Sequence, residues 1–307
     1  MKHPVLRAIL FFHFLPCHSQ INLADSSAQA VAYWNNGDKR IYTIRFEKVK
    51  IKDQDTLSLK VLEYDAEISV LKSKPAFYLI QWTYRYRNNP FTDLMTETFQ
   101  TLPHDSRIIY KTNEMGEFSK LVNWREIRSK VKRQIHNFSK LIFKMPELNM
   151  FFQQLNTAFA SRKAIEIALI KDIRQFHSFH GYYFKLGKNY IATTQIPNIF
   201  GGGFLNAENK TLLKEVDAKK GTFTIHLTQE IDKEQLTEVI HKFIRNMAEK
   251  IHHEPPKSGE IPQYNIEIQV ETQLDNAGWV IESMHTQTVF YNENRNVEKR
   301  LIKAHQN

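Results

Sequence analysis

Ala76-Phe77-Tyr78-Leu79-Ile80-Gln81-Trp82-Thr83-Tyr84-Arg85-Tyr86-Arg87 alternates at a period of two. Tyr78, Ile80, Trp82, Tyr84 and Tyr86 share one parity, while Gln81, Thr83, Arg85 and Arg87 share the other. Successive side chains of a strand point to opposite faces, so this pattern predicts a strand with an aromatic buried face and a polar outer one. One-sided burial of this kind belongs to antiparallel sheets rather than to parallel sheets covered on both faces.

Upstream, Tyr42, Ile44 and Phe46 alternate with Arg45 and Glu47. Leu57, Leu59 and Val61 repeat the alternation, and Ala66, Ile68 and Val70 continue it. These runs predict an antiparallel meander with one buried face. Downstream, a short strand at 107–112 leads through a turn at Gly116 to Asn123-Trp124-Arg125-Glu126. Asn at the cap with Glu three residues on is a capping box. The helix it opens carries Trp124, Ile127, Val131, Ile135, Phe138 and Ile142 at helical spacing, and Pro146 ends it. Helices follow at 147–159 and 163–179, where Gly181 supplies the stop. Strands return at 182–186, 190–195, 212–216 and 222–228, then a helix at 233–252 and strands at 264–272, 279–290 and 297–303. Strands around grouped helices, without β-α alternation, predict an α+β fold: a curved antiparallel sheet, half-barrel-like, packed against several helices.

The N-terminal segment carries its own instruction. Lys2 and Arg7 precede the apolar run Ala8–Leu15, Pro16 breaks it, and Cys17-His18-Ser19 places small residues before Gln20. That is the layout of a secretory signal peptide at 1–19, too short to span and stay in a bilayer. Export to the periplasm or cell exterior is the expectation, with lipoprotein anchoring at Cys17, the only cysteine, as the alternative. Pro16 stands where the lipoprotein machinery wants a small residue. Residues 20–38 are small and polar and read as a loosely ordered lead-in; 39–307 read as a single α+β domain. The net charge of +9 falls to +7 without residues 1–19, because Lys2 and Arg7 are their only charges. The remaining charges spread over most of the chain, as on a solvated basic surface.

Little points to catalysis. There is no G-x-S-x-G elbow, and Phe204-Leu205 stands where a phosphate loop needs Lys and Ser or Thr after Gly201-Gly202-Gly203. His177 and His180, one turn apart near a helix end, fit capping of the helix's negative end better than a metal site, which needs a third ligand. No cofactor, metal or catalytic residue is assigned, and no nucleic-acid partner is expected of an exported chain. The candidate ligand-binding residues are Tyr78, Trp82, Tyr84 and Tyr86 of the aromatic row, with Phe200 and Phe204 framing the glycines as a movable apolar lip. Arg125, Arg128, Lys132 and Arg133 form a cationic helix face that could make at most peripheral contact with an anionic membrane.

Residues 110–127, YKTNEMGEFSKLVNWREI, are similar to a strand–turn–Gly–strand–N-W-x-E–helix pattern of uncharacterised exported proteins of Bacteroidetes-type bacteria. The resemblance implies location and brings no catalytic residues. The architecture also resembles the half-barrel carriers of lipoproteins and lipids. The function expected is an exported, non-catalytic carrier or binder of an apolar or amphipathic, lipid-like ligand. The alternatives are a cell-envelope structural or interaction module with a filled core, and an exported hydrolase.

Overall fold

The computed structural model describes residues 20–86, 107–141, 159–198, 200, 203–250 and 253–305. The signal-like segment at 1–19, with Cys17, and the helix expected at 147–159 up to residue 158 lie outside them.

Eleven antiparallel strands form one sheet. Its first half is a meander running outward from the centre: β3 (Lys39–Lys52), β4 (Asp55–Lys74), β5 (Phe77–Tyr86), β6 (Arg107–Asn113) and β7 (Phe118–Leu121). The second half runs back inward: β9 (Asn189–Pro197), β10 (Phe204–Asp217), β11 (Thr222–Ile231), β12 (Tyr264–Asp275), β13 (Val280–Tyr291) and β14 (Asn294–Ala304). The two meanders meet where β14 pairs with β3, Ala304 opposite Tyr42 and Asn294 opposite Lys52. Among the described residues β7 and β9 are the ends of the sheet and do not pair, so it is open rather than a closed barrel. β1 (Ile21–Asn22), β2 (Ser27–Gln29) and β8 (Tyr183–Lys185) make a second, three-stranded sheet.

The helices lie on one face, here called inner. α1 (Trp124–Leu141), α2 (Arg162–Leu169) and α3 (Lys171–Phe176) connect β7 to β8, and α4 (Lys233–Lys250) connects β11 to β12. Two apolar clusters result. The larger joins the inner residues of β3–β6 to α1–α3, and the smaller joins Leu205, Ala207, Ile231 and Ile266 to Leu236 and Ile240 of α4. The alternation of β5 is realised: Tyr78, Ile80, Trp82 and Tyr84 are all buried.

Several expectations need correction. Residues 20–38 are not a loose lead-in, because Ala28, Ala30, Ala32 and Trp34 are buried in the larger cluster. Their backbone is tied down by Ala32 N–H donating to Met115 O (3.0 Å) and Tyr33 N–H donating to Ala277 O (3.0 Å). Small side chains here signal close packing rather than looseness. Leu57, Leu59 and Val61 do not continue the buried face. The core residues of β4 are the even-numbered Tyr64, Ala66, Ile68 and Val70, so the odd-numbered Leu59 and Val61 turn outward and are exposed, as is Leu57 at a register shift against β3. The helix expected at 163–179 is broken at Ile170 (φ −110°, ψ 34°), which lets α3 turn away from the line of α2. Asn123 opens α1, but its side-chain oxygen accepts from Ile109 N–H (2.8 Å) rather than closing a capping box, and so fastens the helix to β6.

Gly278, in the turn before β13, has φ +77°, and a Cβ there would collide with the carbonyl of Val31. Gly37 has φ +86° with nothing within 4 Å. Both substitutions to alanine carry the backbone strain of about 1 kcal/mol, but Gly278→Ala must also displace the buried 30–34 segment. In urea unfolding, Gly278→Ala should lose about 3 kcal/mol or more and Gly37→Ala about 1 kcal/mol. Equal losses would refute the close packing of residues 30–34.

Candidate functional site: a cationic groove on the inner face

The site is built where α3 meets the centre of the sheet. Asp172, Ile173, Gln175 and Phe176 of α3 are buried. Asp172 is approached from three strands: Tyr64 of β4 donates to Oδ2 (2.7 Å), Tyr84 of β5 donates to the same oxygen (3.2 Å), and Arg300 Nε of β14 lies 2.9 Å from Oδ1. The Arg300 N–H is not aligned with that contact, so the pair is held by charge rather than by a directed hydrogen bond. Gln175 Nε2 donates to Ser283 O (3.0 Å), Ser283 Oγ (3.1 Å) and Arg300 O (3.0 Å), joining α3 to β13 and β14.

Phe176 and the turn after it fill the centre of the larger cluster. The Phe176 ring meets Trp82 edge-on at 5.7 Å and Tyr42 edge-on at 5.5 Å. His177 Nδ1 faces the carbonyl of Gly116 (2.7 Å), so it carries the proton and donates, and Nε2 accepts from the Tyr110 hydroxyl (2.9 Å). His180 Nε2 donates to Gly278 O (2.8 Å). These two imidazoles therefore fasten the Gly116 and Gly278 turns and do not cap a helix as cations. Burial, with the neighbouring His180 second, pushes His177 well below its ordinary pKa, and burial pushes His180 to about 4. Among the described residues no group of three or more His, Cys, Asp or Glu side chains converges as a metal site.

Beside Asp172 the inner face opens into a cavity of about 320 Å³ between the two apolar clusters. The strand register sets its floor. Val270, His285, Arg300, Phe46 and Leu62 stand opposite one another across β12, β13, β14, β3 and β4, and Ile268, Gln287, Glu298, Lys48 and Lys60 form the next row. Lys171, Arg174 and Ser178 line the helix side, with Ile167 of α2. The Arg300 guanidinium lies 5.6 Å from the Phe46 ring centre. Apolar and cationic side chains thus share both sides of the cavity, Phe46 beside Arg300 on the floor and Ile167 with Lys171 and Arg174 on the helix side.

Charge in this cavity does not balance locally. Asp172 is taken by Arg300, and Glu298 by Lys48 (2.9 Å). Lys171 and Arg174 have no ion-pair partner among the described residues. Burial raises Glu298, but the Lys48 hydrogen bond and the charges of Lys48, Lys171 and Arg300 outweigh it and hold the carboxyl below its ordinary value. Lys171 is lowered by burial first and by Arg300 second. Lys171 keeps exposed surface, so the burial acting on it is the surrounding concave wall rather than full enclosure. His285 is pushed down to about 4 by burial, then by Arg300 and Lys171.

The residues chosen from sequence are not brought together. Tyr78 donates to Ala32 O (2.7 Å) and packs on Trp34 (5.3 Å), Trp82 is fully buried, and Tyr84 binds Asp172. Trp82 and Tyr84 lie in packed core, while Tyr78 lines a separate cavity of about 450 Å³ with Gln20, Val31, Tyr33 and Met115. Tyr86 pairs with Tyr64 through the backbone, and its side chain lies outside the described residues. Phe200 and Phe204 sit in the other half of the molecule, over α4, where Phe200 meets Phe243 edge-on at 5.8 Å and Phe204 is exposed. They share a groove of about 620 Å³ with Gln195, Lys242 and Asn246. Gly201 and Gly202 lie outside the described residues. On α1, Arg125, Lys132 and Arg133 are exposed and Arg128 is half-buried, while Ile127 and Val131 on the opposite stripe are buried against the core.

Sequence reading missed Lys171, Arg174, His285, Glu298 and Arg300. For His285 and Arg300 the signal is a polar residue opposite an apolar one across the sheet, Val270 and Phe46 respectively; Glu298 shares the face of Arg300, and Lys171 and Arg174 stand on the helix above them. It becomes legible only once β13, β14 and β3 are known to be neighbours.

No protein-family model matches this chain, and no curated protein matches it. Chemistry must therefore be argued from the groove. Thr43 Oγ1 lies 2.8 Å from His305 Nε2, but Asp65 lies 3.5 Å from that same nitrogen and accepts from Thr43 itself (3.0 Å), so the acid does not orient the base. Ser178 Oγ donates to the carbonyl of Gln175, and a histidine titrating near 4 is a weak base at neutral pH. The arrangement can bind and orient an anion.

His177, His180 and His285 all titrate below 6.5 in the folded chain. Between 6.5 and about 4 the unfolded chain holds protons on these side chains that the folded chain does not, so stability rises with pH. Their contribution is complete above 6.5 and is lost as pH falls toward the folded values, at about 1.4 kcal/mol per pH unit for each histidine. Urea midpoints should be flat from pH 8 to 7 and fall steeply from pH 6.5 to 5. A flat profile across pH 5 would mean that the histidines are not buried neutral.

Proposed function

We propose that the chain is an exported, non-catalytic protein that holds an amphipathic ligand between its sheet and its helices. The observation that carries this reading is the cavity on the inner face, whose lining combines apolar and cationic side chains. Phe46, Val270 and Ile167 offer apolar surface, and Lys171, Arg174 and Arg300 charged groups, around the same cavity. Cavities of a few hundred Å³ with a mostly apolar lining and a few placed polar groups are the usual form of small-ligand sites. An open antiparallel sheet with all its helices on one face also suits a half-barrel-like carrier, in which the concave side holds the cargo. The basic and apolar character of residues 1–19 supports export, and cleavage after Ser19 would leave a chain beginning at Gln20 with no cysteine.

A second reading, an envelope interaction protein with a filled core, is supported by the complete burial of Trp82 and Phe176 and by the exposed apolar side chains of Leu57, Leu59 and Val61.

Intact mass of the protein recovered from its native host, measured under native and then denaturing conditions, separates the two. A chain starting at Gln20 with extra mass released on denaturation is the expected result. Bare protein in both states would favour the interaction reading, and an acyl adduct on Cys17 would replace soluble export by membrane tethering.

A further inference from the structure

We infer that Lys171 and Arg174, backed by Arg300, form a receptor for a phosphate-monoester oxyanion, the head group of the amphiphile held in the inner-face groove. The inference rests on reading that groove as a ligand site, and it adds the chemistry of the head.

Three observations converge. The first is the charge count. Among the inward-facing charged and titratable groups at the cavity, Lys171, Asp172 and Arg174 come from α3, His285 from β13, Glu298 and Arg300 from β14, and Lys48 from β3 across the floor; Lys299 also lines the cavity, but from the outward parity of β14, opposite Glu47. Asp172 and Glu298 are the only carboxylates among these groups, and each is already engaged, by Arg300 with two tyrosine hydroxyls and by Lys48. Two cations are left over. A phosphate monoester carries about −1.5 to −2 charges near neutral pH, which matches two surplus cations better than the single charge of a carboxylate.

The second observation is positioning. Arg300 is almost fully buried, held against Asp172 at 2.9 Å and over Phe46, so its guanidinium is fixed before any ligand arrives. A planar guanidinium held in place presents its remaining N–H groups at no further ordering cost, the arrangement that suits phosphate oxygens. Lys171 and Arg174 stand one helical turn apart on α3, and both line the same cavity.

The third is that the cations are crowded against one another. Lys171 is pushed down by burial first and by the Arg300 charge second. An oxyanion bound between them removes that repulsion. Beyond the cavity the basic surface continues along the same inner parity of β3 and β4, where Lys48 stands opposite Lys60 and Lys50 opposite Ser58. The apolar tail finds its contacts in the same cavity, against Phe46, Val270 and Ile167.

Calorimetric titration of the purified protein with dodecyl phosphate, dodecyl maltoside and inorganic phosphate tests this directly. Dodecyl phosphate should bind about tenfold or more tighter than dodecyl maltoside, the difference expected of one or more charge-assisted hydrogen bonds. Lys171→Gln and Arg174→Gln should each weaken dodecyl phosphate about tenfold and leave dodecyl maltoside unchanged. Both side chains keep exposed surface, so the variants should unfold at the same urea midpoint as the parent chain. Equal affinity for the two amphiphiles, or indifference of dodecyl phosphate to both substitutions, overturns the phosphate receptor and leaves the amphiphile reading intact. Binding of inorganic phosphate with the same dependence on Lys171 and Arg174, and of neither amphiphile, supports the receptor and overturns the amphiphile reading. Binding of none of the three overturns both.

Discussion

The docking of residues 170–180 into the centre of the sheet is the interaction on which the rest of the structure depends. Within this short segment Asp172 binds Tyr64, Tyr84 and Arg300, Gln175 binds Ser283 and the backbone of Arg300, His177 binds Gly116 and Tyr110, and His180 binds Gly278. Phe176 occupies the middle of the aromatic cluster that these polar contacts surround. The contacts reach β4, β5, β6, β13 and β14 and the Gly116 and Gly278 turns, and together they span both meanders. Buried polar groups that lose a partner cost more than the bond was worth, so this network selects one seating of α3 over nearby alternatives. The break at Ile170 is what allows it, since a helix continuing from α2 would follow α2's direction instead of descending onto the sheet.

The same seating creates the groove. The larger apolar cluster lies under α3 and beside the 30–34 segment, and the smaller lies under α4 in the second meander. Where α3 and α4 leave the inner face open to the cavity, the inner positions of β13, β14 and β3 carry His285, Gln287, Glu298, Arg300 and Lys48. Charged residues pointing inward from a central strand are costly unless they are paired or solvated. Here some are paired and the rest face an open cavity. The polar centre of the sheet and the ligand site are thus one feature, and its cationic excess follows from α3 contributing Lys171 and Arg174 while committing Asp172 to Arg300.

The 30–34 segment shows why composition misleads. Ala30 and Ala32 suggest a solvated tail when read as small residues between polar ones. In the fold they pass so close to the Gly116 and Gly278 turns that a Cβ at Gly116 would lie 2.7 Å from Ala32 Cβ. Alanines and glycines are what permit two backbones to approach that closely, and a three-dimensional neighbour is needed to show it. The exposed Leu57, Leu59 and Val61 teach a related lesson. Apolar residues at period two establish a strand but not which of its faces is buried, and the parity of Tyr64, Ala66, Ile68 and Val70 decided that for β4 from Leu59 to Val70.

What the amino-acid sequence determined by itself is the local content: strands at a period of two, amphipathic α1 and α4, the inward row of β5, and antiparallel rather than parallel pairing. Each of these rests on interactions between residues near in the chain or on a repeating burial pattern, both of which survive in one dimension. Only the tertiary structure decided that β14 lies against β3, that α3 leaves the line of α2, and that Lys171, Arg174, His285 and Arg300 surround one cavity. Arg300 and Asp172 are separated by more than a hundred residues, and no local periodicity records that they meet. Their juxtaposition follows from strand order and from where a buried helix can satisfy its polar groups, and those are properties of the folded chain as a whole.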